Sequence, residues 1–252
     1  MVEEFIKIFN SMPALFCYQL YDTLQRKDEI QIHSSPEAPN TFIFQREHYL
    51  TFYGHKATLE SLFKTISDTL DPATRYEIYF QNHHITSIKG LFDDFDYIDD
   101  TVSYPDNFNR MQSMVLEKTN FVPKRHLKSG KRISADLLQH FDPDLVDYAN
   151  SGVVYGIIED TDLISVCPVP YICKNDMYSF AILHGIYTNE RFRHKGYATG
   201  SVRAALNFLF TRKIIKSVYT LVDEENHGVQ MLEKIGFEST GDQWLGARCF
   251  LK

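Results

Sequence analysis

The sequence has few cysteines, and they lack the spacing that a disulfide framework or a metal site requires. Its four cysteines, at positions 17, 167, 173 and 249, are too scattered for a disulfide-stabilised scaffold. It contains neither C-x-x-C nor H-x-x-x-H, two spacings that are typical of metal sites. We therefore expect buried free thiols and no bound metal.

The sequence also lacks an excess of basic residues and a long apolar run. Lys and Arg number 26 against 33 Asp and Glu, so the net charge is −7 and the isoelectric point is near 5.8. This balance argues against nucleic-acid binding, which needs a basic face, but it is compatible with a cationic substrate. No window approaches the ~18 apolar residues of a membrane span, and the start, Met-Val-Glu-Glu, is unlike a secretory signal. We expect a cytoplasmic protein without a membrane partner.

What the sequence does contain indicates a folded chain with two halves. Hydrophobic residues make up 44% of the 252 residues, and 19 Phe and 15 Tyr are present. In the first half, helical periodicity over 3–25 and 57–70 alternates with short strand-like runs, which predicts a small α/β domain. An acidic stretch over about 90–108 ends in a Tyr-Pro-Asp-Asn turn signal, so we place domains at 1–107 and 108–252.

The second half predicts a more regular order of elements. A strand at 111–117 precedes two short helices at 134–141 and 143–150, and then a hairpin over 153–158 and 163–168. A long strand follows at 178–188. Glu159 and Asp162 flank the hairpin turn, and we interpret them as solvated side chains.

A basic, glycine-containing segment follows this long strand and opens a helix. It reads Arg-Phe-Arg-His-Lys-Gly-Tyr-Ala-Thr over 191–199, and the apolar positions of the helix are Ala198, Val202, Ala205, Leu206 and Leu209. A helix start presents backbone N–H groups without intrahelical partners and a positive dipole, which suit a phosphate. The alternative is an ordinary strand, loop and helix with a basic turn.

A second segment resembles the first in its layout. A strand at 218–222 is followed by the turn Asp-Glu-Glu-Asn and a short helix with Val229, Leu232 and Ile235 on one face. Gly236 occupies the position of a left-handed C-cap, and Phe237 follows it.

Together the two segments resemble the GNAT superfamily of N-acetyltransferases. Arg193-His194-Lys195-Gly196-Tyr197-Ala198 fits the family signature R/Q-x-x-G-x-G/A, and the stretch from Asn226 to Gly236-Phe237 resembles the second signature. The resemblance covers about residues 109–252. It implies an α/β (α+β) fold: a mixed, mostly antiparallel twisted sheet with a splayed central strand pair and flanking helices. The first half has no signature, although some bacterial members carry a degenerate copy of the fold there.

The resemblance also implies an acetyl-CoA site. The splayed strand would contact pantetheine through the backbone of Ile186, Tyr187 and Thr188. Arg193 would contact a phosphate, and Asn226 would face the acyl or pantetheine end. The N–H groups that cradle the pyrophosphate would come from Lys195, Gly196, Tyr197, Ala198 and Thr199.

Acyl transfer to an amine needs a base for the amine and stabilisation of the departing thiolate. His184, in the predicted long strand and of the same strand parity as Ile186, is the candidate base; the alternative is a histidine packed on the sheet and hydrogen-bonded to backbone. Many family members have a Tyr where this sequence has Leu232. Either Tyr219 or Tyr197 donates the proton, or the thiolate leaves without one.

These observations predict an N-acetyltransferase that moves an acetyl or short acyl group directly to a primary amine of a small molecule or peptide. Ser165 and Cys167 have no triad-like pattern around them, which favours direct transfer over an acyl-enzyme. The alternatives are a non-catalytic acyl-CoA sensor and a partner-binding module. We interpret Trp244 as a packing residue, and we expect a monomer or homodimer.

Overall fold

The computed structural model describes residues 2–98, 104–124 and 127–252. Part of the acidic stretch at the predicted domain boundary, residues 99–103, lies outside them. The chain forms two compact units. The first comprises Met1–Gln112, Val222–Asn226 and Gly241–Lys252, and the second comprises Ser113–Leu221 and His227–Thr240. The boundary after residue 107 stays a prediction.

The first 98 residues form four helices and five strands. In chain order these are α1 (Val2–Ser11), α2 (Cys17–Gln25), β1 (Ile30–Ser35), β2 (Ala38–Arg46), β3 (Tyr49–Tyr53), α3 (Lys56–Ile66), β4 (Arg75–Phe80), α4 (Ile85–Leu91) and β5 (Phe92–Asp96). The single helix that the periodicity predicts over 3–25 is wrong, because two helices form there. Pro13 lies between them, and proline both lacks an N–H and disfavours a helical residue before it.

Residues 104–124 and 127–252 form nine strands and four α-helices. In chain order these are β6 (Asn109–Glu117), β7 (Lys131–Ile133), α5 (Ala135–Leu138), α6 (Asp144–Ser151), β8 (Val153–Glu159), β9 (Asp162–Val169), β10 (Tyr171–Lys174), β11 (Ser179–Leu183), β12 (Tyr187–Thr188), α7 (Tyr197–Phe208), β13 (Ser217–Asp223), α8 (Gly228–Ile235) and β14 (Glu238–Leu251). A π-helical turn, Leu209–Lys213, extends α7.

The sheet of the first unit is antiparallel except at one strand pair. Its strands follow the order β1, β2, β3, β4, β14, and β5 also pairs with β14. Only β3 and β4 among these are parallel, and α3 connects them. The core is rich in aromatic rings, and Trp244 is 2% exposed, with its indole N–H donating to the Leu15 carbonyl at 3.1 Å. The packing role expected for Trp244 is thereby confirmed.

The second unit contains two groups of strands. β7, β8, β9 and β12 are antiparallel neighbours, whereas β10 pairs antiparallel with β11 and β11 pairs parallel with β13. The apolar stripe predicted on α7 is confirmed, since Val202, Ala205 and Leu206 are fully buried. This mixed, mostly antiparallel arrangement with flanking helices is the fold class expected from the sequence.

Two further observations concern the cysteines and the helices. All four cysteines are free and buried, as expected. Across residues 2–98, 104–124 and 127–252, no helix is both long and apolar enough to cross a membrane.

Candidate functional site

A strand that changes partners forms one side of the candidate site. β11 pairs with β13 from Phe180 opposite Ser217 to Leu183 opposite Thr220, and the pairing ends there. The chain then passes through Gly185, whose φ of +59° is in the left-handed region, and Tyr187 and Thr188 pair with β9 instead. The single long strand predicted over 178–188 is therefore wrong, because it is two strands in different pairings. The splayed strand pair is confirmed.

Ser165 on β9 fixes the second of these strands. Its hydroxyl donates to the Tyr187 carbonyl at 3.0 Å and accepts a hydrogen bond from the Thr188 hydroxyl at 2.9 Å. The Asn189 N–H donates to the Ile164 carbonyl at 2.9 Å. The backbone predicted to contact pantetheine, from Ile186 to Thr188, is thus held on the β9 side of the gap. Ser165 has a role in positioning that the sequence did not indicate.

The helix start that follows is open to an anion. Gly196 is the N-cap of α7 with φ +81°, and no side chain caps the helix. His194, two residues earlier, also has a positive φ of +60°, which is uncommon for a residue with a side chain. The first N–H groups of a helix have no intrahelical acceptor and lie at the positive end of its dipole. The structure thus places the segment 195–199 at an uncapped helix start, and its contact with a phosphate stays a prediction.

The two basic side chains before this helix start are exposed and held by the loop itself. Arg193 donates from Nε to the Thr188 carbonyl at 3.3 Å and forms an ion pair with Glu190 at 3.4 Å. Lys195 donates to the Arg191 carbonyl at 3.0 Å. Both are exposed, and Arg193 has further donors beyond those engaged.

Tyr197, the first residue of α7, is buried and forms a cluster that the sequence did not predict. Its hydroxyl donates to the Glu159 carboxylate at 2.9 Å and accepts from the Lys128 ammonium at 2.8 Å. The Tyr197 hydroxyl, followed by the Glu159 carboxylate, raises the pKa of Lys128. Glu159 is an exposed side chain, as expected, but its carboxylate also accepts a hydrogen bond from the Tyr197 hydroxyl, which the sequence did not indicate.

The candidate base His184 lies at the point where β11 ends. Its backbone N–H donates to the Pro168 carbonyl at 3.2 Å. Its half-buried ring makes edge contacts with Tyr148 and Tyr171, at centroid distances of 5.4 and 6.1 Å. The strand parity expected between His184 and Ile186 does not hold, because no continuous strand connects them.

The other catalytic candidates are less accessible. Tyr219 is 6% exposed and packs against Phe180 at a centroid distance of 5.9 Å. Leu232, at the position where many GNAT members have Tyr, is buried. Burial also strongly raises the pKa of the Cys167 thiol, which disfavours a thiolate nucleophile there.

Asn226 belongs to the first compact unit, in a turn organised by a buried carboxylate. Asp223 accepts hydrogen bonds from the Tyr104 hydroxyl at 2.7 Å and the Asn109 amide at 3.1 Å. Its carbonyl accepts the N–H of Asn226 at 3.0 Å. Burial, followed by the Asp223 carboxylate, raises the pKa of Tyr104. Sequence reasoning identified this segment as a turn but missed the network that fixes it.

Two histidines next to the signature residues were also missed. The rings of His194 and His227 lie 6.0 Å apart in an edge-to-face contact, both within the second unit. Each is adjacent to a residue already singled out, His194 to Arg193 and His227 to Asn226, and that adjacency was the available signal. Within the part of the chain that the structure describes, no group of three or more His, Cys, Asp or Glu could hold a metal ion.

In the second unit a strand leaves its parallel partner and leads to an uncapped helix start. This arrangement is typical of transferases of the GNAT type. The Acetyltransferase (GNAT) domain matches residues 102–238, more than half of the chain. The chain belongs to this family.

Solved structures agree on the fold. A Drosophila protein has a TM-score of 0.66 at 11% identity, covering 99% of this chain and 95% of its own. A GCN5-related N-acetyltransferase from Kribbella flavida has 0.57 at 9% identity, covering 90% and 94%. A tandem GNAT protein of the clavulanic acid biosynthesis pathway, solved without acetyl-CoA, has 0.56 at 10%, covering 98% and 94%. No curated protein matches the sequence. At these identities the likeness is one of fold.

Proposed function

We propose that the protein is an N-acyltransferase that moves an acetyl or other short acyl group from acyl-CoA to a primary amine of a small molecule or peptide. The observation that carries the proposal is the split strand pair, which leads through a short loop into the uncapped start of α7. The family membership supports the same class of reaction. The cytoplasmic location and the monomeric or homodimeric state stay predictions.

The chain supplies the binding groups in one continuous segment. Backbone N–H groups of residues 195–199 bind the pyrophosphate, with Arg193 beside them. The backbone of residues 186–188 holds the pantetheine arm. The role expected for Asn226, which belongs to the first compact unit, stays a prediction. Bound acyl-CoA supplies a thioester, which is already activated for attack by an amine.

His184 is the proposed base of this reaction. It removes a proton from the attacking ammonium group, directly or through a water, and an unperturbed imidazole has a pKa near 6.5 that suits this role. A backbone N–H near Thr188 polarises the thioester carbonyl. Tyr219 protonates the leaving thiolate, or the thiolate leaves unprotonated.

A second candidate function is a non-catalytic acyl-CoA sensor. Leu232 has no proton to donate, and Tyr219 is buried and packs on Phe180, so neither residue offers an accessible proton to the leaving group. This function needs the helix start but not His184.

Titration calorimetry with acetyl-CoA, followed by thiol release with a panel of amines, separates these functions. Binding with amine-dependent thiol release supports the transferase. Binding without release from any amine supports the sensor. Absence of binding contradicts both, since each depends on the segment 186–199.

A further inference from the structure

A basic cavity lies along the side of α7, away from the helix start. Its volume is about 280 Å³. Gly200, Arg203, Ala204 and Asn207 form one wall, at the i, i+3, i+4 and i+7 spacing of a single helix face, and the opposite wall comes from Pro123, Lys124 and Ser129. All these residues belong to the second unit.

Small residues bring the opposite wall close to the helix. A Cβ added to Gly200 would lie 1.9 Å from the Lys128 carbonyl oxygen, and one added to Gly130 would lie 2.9 Å from the Ser201 Cα. The helix side chains on either side of this contact therefore enclose a space instead of packing on each other. The cavity is thus a consequence of the chain path.

Arg203 is the unusual member of this wall. The residue is only 8% exposed, and its one hydrogen bond to the described residues runs from Nη1 to the Val122 carbonyl at 3.3 Å. None of the ion pairs among the described residues involves Arg203. A guanidinium has five N–H donors, so most of those of Arg203 are not engaged by an acceptor among the described residues.

Burial of a cation without a counter-charge is unfavourable, and an anion that enters the cavity relieves it. Lys124 adds a second positive charge at the wall, and Ser129 and Asn207 add neutral donors. None of the described lining residues is acidic, although acidic residues outnumber basic ones in the whole sequence.

We propose that this cavity is a binding site for a phosphate group, separate from the start of α7. Arg203 contacts the phosphate through its fork of donors, and Lys124 contributes charge from the rim. The phosphate belongs either to a free phosphorylated anion or to the 3′-phosphate of CoA. The site does not depend on acyl transfer.

Calorimetry with inorganic phosphate tests the site, at low ionic strength, in a phosphate-free buffer and with acetyl-dephospho-CoA saturating the start of α7. We expect the wild type to bind, Lys124→Gln to bind about tenfold more weakly, and Arg203→Met to lose binding. Lys118→Gln, an exposed lysine of the same unit, is the matched control and should bind as the wild type does. Lys124 is exposed, so its variant stays interpretable even if Arg203→Met does not fold.

The proposal is overturned if the wild type does not bind phosphate, or if Lys124→Gln binds it as tightly as the wild type. Competition then identifies the source. Phosphate binding that persists with saturating acetyl-CoA indicates a free anion. Phosphate binding blocked by acetyl-CoA but not by acetyl-dephospho-CoA indicates the 3′-phosphate. Blockage by both means that phosphate binds the α7 start, which overturns the proposal. The calorimetry of the variants stays readable if the protein does not bind acetyl-CoA.

Discussion

The two units contain the same connection, a strand followed by a helix and a parallel strand, but only one of them forms an open helix start. In the first unit β3 stays paired on both sides, with Phe52 opposite Phe80 of β4 and Tyr53 opposite Phe42 of β2. In the second unit β11 leaves β13 after Leu183. The split of the strand pair therefore distinguishes the two connections.

The helix starts differ in the same way. Before α3, the Thr41 hydroxyl accepts the His55 N–H at 2.9 Å, and a Cβ added to Gly54 would lie 2.5 Å from that same hydroxyl oxygen. A threonine side chain thus lies against the turn before α3, although neither helix has a side-chain hydrogen bond from its N-cap residue. The comparison teaches that the connection alone does not make a ligand site. The site needs a split strand pair, a longer loop and no side chain over the helix start.

The largest effect is expected from a side chain that fills the start of α7. Gly196→Leu should reduce acetyl-CoA affinity at least about 100-fold, because the side chain occupies the place of the phosphate. Calorimetry measures the affinity, and circular dichroism checks the fold.

Gly241→Leu is the matched control for Gly196→Leu. Gly241 also has a positive φ, +77°, but nothing lies within 4 Å of an added Cβ. Gly241→Leu therefore introduces the same kind of backbone strain without filling the start of α7. This variant should keep the full affinity for acetyl-CoA. Equal affinity of Gly196→Leu and the wild type would mean that the cradle is assigned to the wrong segment.

A second prediction concerns the residue at the point where the strands part. His184→Ala should lower the rate of amine acetylation at neutral pH by about 100-fold, with little change in acetyl-CoA affinity, since it removes the proposed base. The pH–rate profile measured on both proteins is the decisive readout. His140→Ala, an exposed histidine, should change neither quantity. An unaltered profile for His184→Ala removes His184 from the mechanism.

The first unit has a different kind of histidine, and its titration sharpens the comparison. His84, after β4, is 1% exposed, and burial, together with the adjacent His83, lowers its pKa to about 4. The unfolded chain therefore binds this proton more tightly than the folded chain does. The contribution of His84 to the free energy of unfolding is therefore fully present above its ordinary pKa near 6.5, and it is lost as the pH falls towards 4.

Between pH 7 and pH 5 this group should lower the free energy of unfolding by about 2 kcal/mol. Trp244, the single tryptophan, lies in the first unit, so urea unfolding followed by its fluorescence reports on that unit. His84→Leu should lose this part of the pH dependence, whereas His140→Gln should keep it. Parallel pH curves for His84→Leu and the wild type would contradict the assignment.

The smallest expected effect concerns the hydroxyl that holds the diverted strand. Ser165→Ala leaves the Tyr187 carbonyl and the Thr188 hydroxyl without this partner, so the free energy of unfolding should fall by about 1 kcal/mol. The affinity for acetyl-CoA should fall about threefold to tenfold as β12 loosens. Thermal melts and calorimetry measure the two quantities.

Ser113→Ala provides the control for Ser165→Ala. Ser113 is equally buried, but its hydroxyl has no hydrogen-bond partner. Its loss should change the free energy of unfolding by less than about 0.5 kcal/mol. If both alanine variants behave alike, the Ser165 hydroxyl does not hold β12.

The sequence predicted the features that depend on local order. The stripe from Val202 to Leu209 identified α7, and Gly196 marked its start. The split at Leu183 was not predictable, because residues 178–188 form one uninterrupted strand-like run. The change of partner depends on β9 and β13, which lie on either side of that run in the chain.

The side-chain contacts of the site escaped prediction for a related reason. Glu159, Tyr197 and Lys128 are brought together by the fold across 69 residues of sequence. No local periodicity marks a contact of that range. The break between α1 and α2 was predictable by contrast, since Pro13 is visible in the sequence.

The pairing of β4 with β14 also has a consequence for the order in which the chain is made. Tyr76 and Cys249 are opposite each other in these strands and lie 173 positions apart in sequence. At about 5 to 20 residues per second, a ribosome needs roughly 10 to 35 s to synthesise that stretch. Until then β4 lacks its partner β14, so the first unit cannot be completed before most of the second unit has been synthesised.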